Sequence, residues 1–100
     1  MLNQTLSRAI AEYQKKIFNN PFCSNYEIIV IIGQSVFNQL IAETDNRVIV
    51  CNNYPRYPLE GAEYYFEGRQ MFFVPDDNTL AVAIRHKYTG EITKRKYIKG

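Results

Sequence analysis

The most chemically loaded stretch of the chain is AIRHKYTGEITKRKYIKG, from Ala83 to Gly100, which carries Arg85, Lys87, Lys94, Arg95, Lys96 and Lys99 against one acid, Glu91. Clustered Lys and Arg neutralise phosphates or acidic side chains and steer anionic partners toward a surface. The same residues suit a solvated hairpin, because long cations on an exposed strand discourage pairing with other chains. The residues alone leave both readings open. Tyr97 is the one aromatic placed to interleave with these charges, which gives little to stack a single strand on.

Other groups invite chemistry and do not assemble it. Cys51 and His86 are a thiol and an imidazole, but no third group that would orient the imidazole can be identified. Cys23 and Cys51 are expected as free, partly buried thiols, since strand-forming apolar residues are plentiful enough for a core without a disulfide. One His and no CxxC offer no metal-ligand spacing. Asp76 and Asp77 fall in the cluster Pro75-Asp76-Asp77-Asn78, where turn chemistry is the default role. Gly33 lies between a strand and a helix, yet one Gly without a following Lys is neither a dinucleotide fingerprint nor a P-loop. Catalytic residues, a metal and a small-molecule cofactor are therefore not expected. A second candidate binding surface is the loop NNYPRYPLEG (52–61), whose prolines favour extended backbone and whose Tyr54, Arg56 and Tyr57 are types enriched at interface hot spots. Its Pro55 to Pro58 spacing matches a PxxP ligand literally; a loop pinned by packing a tyrosine on the core is the plainer reading.

The elements that must position these residues follow from pattern. One hundred residues, 46% apolar and 14% aromatic, suit a single domain, 1–100, with one modest core. The twelve basic and ten acidic residues are unevenly spread: outside the last twenty positions, nine acids outnumber six bases. The longest apolar run, Ile28 to Ile32, is far short of the roughly 20 residues a membrane span requires. The first twenty residues do not read as a signal peptide, so an intracellular place, bacterial cytoplasm or virion, is expected without a membrane partner.

Leu6, Ile10, Tyr13 and Ile17 recur at spacings of four, three and four, which predicts an amphipathic helix over Thr5 to Phe18, capped by Thr5 or Asn3 and ended by Asn19-Asn20-Pro21. YEIIVII (26–32) reads as a central strand covered on both faces. GQSVFNQLIAE then predicts a short helix with Ser35 able to cap and Val36, Phe37, Leu40 and Ile41 as its apolar stripe, broken at Thr44-Asp45-Asn46 before a strand RVIVC (47–51). Strand, helix and strand in this order predict a βαβ crossover with 26–32 and 47–51 parallel. The remainder reads as an antiparallel meander: AEYYFE and RQMFFV about a Glu67-Gly68 turn, then TLAVAIRHKY and EITKRKYI about Thr89-Gly90. A two-residue turn there pairs Arg85 with Lys94 and gathers Arg85, Lys87, Lys94 and Lys96 on one outer face. A three-residue turn with a bulge pairs Arg85 with Thr93 and Lys87 with Glu91, and is preferred because it keeps like charges apart. The fold class is thus α+β: an N-terminal amphipathic helix, a short βαβ unit and a meander ending in a basic hairpin.

The stretches EIIVIIGQSVFNQLIAE, RVIVCNNYP and RQMFFVPDDNTLAVAIR, within Tyr26 to Arg85, resemble the axial domain of tailed-bacteriophage major capsid proteins. In the last, the step Asn78-Thr79-Leu80 departs from the family pattern by an inserted Thr, and the long spine helix and extended arm of a capsid subunit are missing. The resemblance implies a stand-alone axial-type domain or accessory virion protein that works through protein contacts. The expected function is a non-enzymatic protein-interaction or structural module, its partner another protein or a further copy of itself. The alternative is a small phage or bacterial protein, a host-defence inhibitor or regulator, that binds nucleic acid or a nucleoprotein through the basic hairpin.

Overall fold

The computed structural model describes residues 1–17, 25–52 and 62–99. Helix α1 (Leu2–Ile17) leads into strand β1 (Tyr26–Ile32), helix α2 (Gln34–Ala42) and strands β2 (Val48–Asn52), β3 (Ala62–Phe66), β4 (Arg69–Phe73), β5 (Leu80–His86) and β6 (Ile92–Lys99). The six strands form one mixed sheet in the order β2-β3-β4-β1-β5-β6. The α+β class read from the sequence is what the chain adopts. The expected Asn19-Asn20-Pro21 helix stop, Cys23, and the proline loop with Tyr54, Arg56 and Tyr57 lie outside the described residues.

Two expectations about strand order are corrected. β1 does not neighbour β2; β4 and β3 lie between them, and the parallel partner of β1 is β4, with Val30 opposite Met71. β4 and β5 are not consecutive strands of a meander either, because β1 is inserted between them and pairs antiparallel with β5 along its whole length. Ile28 to Ile32 are all buried, so β1 does hold the central, doubly covered place its composition requires; which strands flank it is decided by non-local pairing, and β4 and β5 bury the same apolar faces that β2 would have.

The main core lies between the helices and one sheet face. Leu6, Ile10 and Tyr13 of α1 and Val36, Phe37 and Leu40 of α2 pack on Ile28, Val30 and Ile32 of β1 and on Leu80, Val82 and Ile84 of β5. Ile41, expected in the α2 stripe, is instead 42% exposed. Phe37, Tyr64 and Phe73 meet edge-to-face with centroids 5.0 to 5.4 Å apart, a geometry that adds about 0.5–1.5 kcal/mol per pair beyond burial. On the opposite face Ile29, Ile31, Ala81 and Ala83 form a smaller buried cluster flanked by Phe72, Val74 and Ile92.

Neither helix is capped as its own sequence suggests. The first amides of α1, Leu2 and Asn3, donate to the Glu43 carboxylate beyond the end of α2, at 2.6 and 2.9 Å. Asn3, expected as a cap, is wholly buried: its Nδ2 donates to the Leu40 carbonyl and to Glu43, each at 2.8 Å, and its Oδ1 accepts from the Arg47 amide at 3.1 Å. Thr5 Oγ1 donates to the Met1 carbonyl rather than capping an amide. At α2, Gly33 occupies the cap position without a side-chain bond, and the Val36 amide donates to the Asp77 carbonyl of the β4–β5 turn at 3.3 Å. Glu67 (φ 48°) and Gly68 (φ 83°) form the expected two-residue β3–β4 turn, with left-handed backbone at both positions.

Candidate functional site

The structure separates the basic residues that the sequence lists together. Arg85 is taken out of the group. It faces Glu27 directly across the β1–β5 ladder, donates to its carboxylate through Nε at 2.8 Å and through NH2, and stacks its guanidinium 5.0 Å from the centre of the Phe72 ring. A guanidinium over an aromatic face with a carboxylate in its fork is occupied as a partner for other anions.

The remaining cations follow β6 and its entry loop. His86 donates its backbone amide to the Glu91 carbonyl at 2.8 Å, so the loop is the four residues Lys87 to Gly90, closed by the Gly90 amide on the His86 carbonyl at 2.9 Å. His86 Nδ1 accepts from the Tyr88 and Thr89 amides, each at 3.2 Å, and Gly90 takes the left-handed conformation. Arg85 pairs with Ile92 and Ile84 with Thr93, so neither expected hairpin register is the one adopted. Further along, Val82 pairs with Lys96 and Ala81 with Tyr97 after a register shift, and Lys94 at this bulge has φ 50°.

This bulge is held from outside the hairpin. The Tyr13 hydroxyl of α1 donates to the Lys94 carbonyl, and burial pushes the phenol's pKa up. Local turn chemistry could not reveal a register pinned by a residue 81 positions away. Tyr13→Phe removes only this hydroxyl from an otherwise apolar contact. It is expected to cost about 1 kcal/mol in urea denaturation and to speed amide exchange in β6 more than in β1. Unchanged β6 exchange would mean that the bulge holds without it.

Lys87, Lys94, Arg95 and Lys96 are exposed, and among the described residues none is in an ion pair; those present use Arg47 and Arg85. Alternation and the bulge distribute them along the edge strand instead of gathering them on one outer face. Lys99 pairs through its backbone with Leu80 at the far end of β6. Tyr88 is 81% and Tyr97 57% exposed among these cations. Arg95 and Tyr97 line a cavity of about 510 Å³ with Ile31, Val74 and Asp76. At the other end of β5, a hollow of about 560 Å³ is bordered by Tyr26, Glu27, Arg69, Gln70, Arg85 and Lys87.

The residues considered for catalysis stay apart. Cys51 on β2 and His86 on β5 have three strands between them, about 19 Å at the usual strand spacing, which is too far for a nucleophile and its base. Asp76 Oδ1 accepts the Asn78 amide at 3.1 Å, as a turn aspartate does. Among the described residues no three His, Cys, Asp or Glu side chains come together as metal ligands, and no helix is long and apolar enough to cross a membrane. Comparison of the chain with protein-family models, with curated proteins and with solved structures finds no match, and the meaning of this surface follows from its own geometry.

Proposed function

We propose that this chain is a non-enzymatic interaction module that engages an acidic partner protein along the β6 edge and the Lys87–Gly90 loop. The observation that carries this reading is the contrast among its cations. Arg47 and Arg85 have carboxylate partners, whereas among the described residues Lys94, Arg95 and Lys96 stand exposed and outside any ion pair in succession on the edge strand β6, with Lys87 in its entry loop. Charges left without internal partners on a single edge steer association and select for complementary charge. Tyr88 and Tyr97 add rigid, amphipathic contact area at low entropic cost. Under the capsid resemblance, the partner would be a neighbouring virion subunit.

A fluorescein-labelled poly-glutamate peptide titrated with the protein tests the surface. Replacing Lys94, Arg95 and Lys96 together by Glu is expected to weaken binding at least about tenfold and to flatten its salt dependence. Binding that survives this triple reversal would remove β6 from the interface.

A second reading, a nucleic-acid binder, is favoured by one observation: two exposed tyrosines lie among the cations, as on a stacking platform. It predicts that a labelled single-stranded oligonucleotide binds more tightly than the acidic peptide and that Tyr97→Ala weakens it. The protein-partner reading predicts the reverse order.

A further inference from the structure

Among the described residues no strand lies beyond β2 or β6, and these two outer strands of the sheet are built differently, a difference that points to a second interface. β6 carries Lys94, Arg95, Lys96 and Lys99, a left-handed residue at Lys94 and two register shifts, all devices that keep other strands from adding to an edge. β2 has none of them. Its sequence, Val48-Ile49-Val50-Cys51-Asn52, holds no charge, proline or glycine, and it pairs with β3 without a register shift. Ile49 is 59% and Val50 55% exposed. Because successive residues of a strand point to opposite faces, both sides of this edge leave apolar surface in water. Leaving these two β-branched side chains exposed at an unguarded edge costs stability unless something pairs with them.

We infer that β2 pairs antiparallel with β2 of a second copy, joining two six-stranded sheets across a two-fold axis. A second copy fits this edge because none of its five residues carries a charge that a symmetric copy would repel. With Val50 on the axis, Val50 faces Val50, Ile49 faces Cys51 and Val48 faces Asn52, so no like charges meet. Arg47, the nearest cation, is already held by Asp45 at 2.8 Å and Glu67 at 3.6 Å, and two copies of it do not oppose approach. Pairing of β2 with β6 of another copy, which would build open fibres instead of closed dimers, is blocked by the bulge at Lys94. Five residues make a short seam, which sets the dimer at the weak, concentration-dependent end of protein association. This interface uses the edge opposite the basic one, so it stands or falls separately from the function proposed above.

Sedimentation equilibrium from about 10 to 500 µM, the range in which small interfaces associate, tests it. The wild-type mass is expected to climb from 11.7 kDa toward twice that value. Ile49→Lys places two charges on the seam and is expected to weaken association at least about tenfold. Because Ile49 is exposed, the circular dichroism and thermal midpoint of that variant should match the wild type at low concentration, where both are monomeric. Val50→Cys, with Cys23 and Cys51 replaced by Ser, is expected to form a disulfide-linked dimer on mild oxidation, whereas Lys96→Cys in the same background is not. A wild type that stays at 11.7 kDa throughout overturns the proposal, as does an Ile49→Lys variant that dimerises like the wild type.

Discussion

Gly33→Ala is expected to lower the stability of this domain by about 3–5 kcal/mol, a large part of the roughly 5–15 kcal/mol that holds a domain of this size folded. The cause is not conformational freedom, since Gly33 has φ −89° and ψ 160°, a backbone any residue adopts. It is space. A Cβ built on Gly33 would stand 2.1 Å from the Asp76 carbonyl oxygen, 2.4 Å from the Asp77 carbonyl carbon and 2.5 Å from the Asp77 oxygen. These atoms are backbone, so no rotamer relieves the overlap. Withdrawing the turn breaks the Gly33 amide's bond to the Thr79 carbonyl at 2.8 Å and the α2 cap from Val36 to Asp77 at 3.3 Å. One methyl group therefore sets the end of β1, the start of α2 and the β4–β5 turn against one another. Urea denaturation measures the loss, and amide exchange should show the protection of Val36 and Phe37 falling first. A loss under about 1 kcal/mol would mean that the turn can move away cheaply, and the close approach would then have no structural role.

Gly33 also marks how far the sequence could be read. Its place between a strand and a helix is plain from the sequence, but the reason it must be glycine is contact with a turn more than forty residues later. The same division runs through the fold. The α1 periodicity of Leu6, Ile10 and Tyr13, the unbroken apolar run of β1 and the Glu67-Gly68 turn are legible because their causes lie within a few residues. The insertion of β1 between β4 and β5 is a choice among non-local pairings that all bury the same apolar faces, and no spacing in the chain records it. The basic hairpin shows the limit at the candidate site. Charge repulsion was a sound reason to keep Arg85 from Lys94, and the two are indeed not paired. The contacts made at this register are non-local: the Tyr13 hydroxyl donates to the Lys94 carbonyl, and Arg85 donates to Glu27 on β1. The β2 edge was missed because exposure of Ile49 and Val50 depends on strand order, and the strand order was what the sequence left open.

Asn3→Ala should cost about 2–4 kcal/mol although it deletes no apolar contact of consequence. Asn3 is fully buried, and its amide joins three separate parts of the chain: the start of α1, the end of α2 at Leu40 and Glu43, and the entry to β2 at the Arg47 amide. Alanine leaves the Leu40 carbonyl and the Arg47 amide without these partners, and the penalty for stranding buried polar groups exceeds the net gain of the bonds themselves. Its neighbour Glu43 makes the same joint sensitive to acid. Bonds from the Asn3 backbone amide first, then the Asn3 side chain and the Leu2 amide, pull the Glu43 pKa from its ordinary 4.5 down to about 2. A carboxyl group whose pKa is lowered by folding stabilises the folded state when ionised. Its contribution is complete above about pH 4.5 and disappears as pH falls toward 2. Glu43→Gln keeps one acceptor oxygen but turns an NH2 group toward amides that can only donate. It should therefore destabilise the protein at pH 7, with a deficit relative to the wild type that shrinks between pH 4.5 and 2. Denaturant midpoints of the two proteins at pH 7, 4 and 3 give the comparison. A deficit that stays constant across this range would show that ionisation of Glu43 contributes nothing to holding the start of α1.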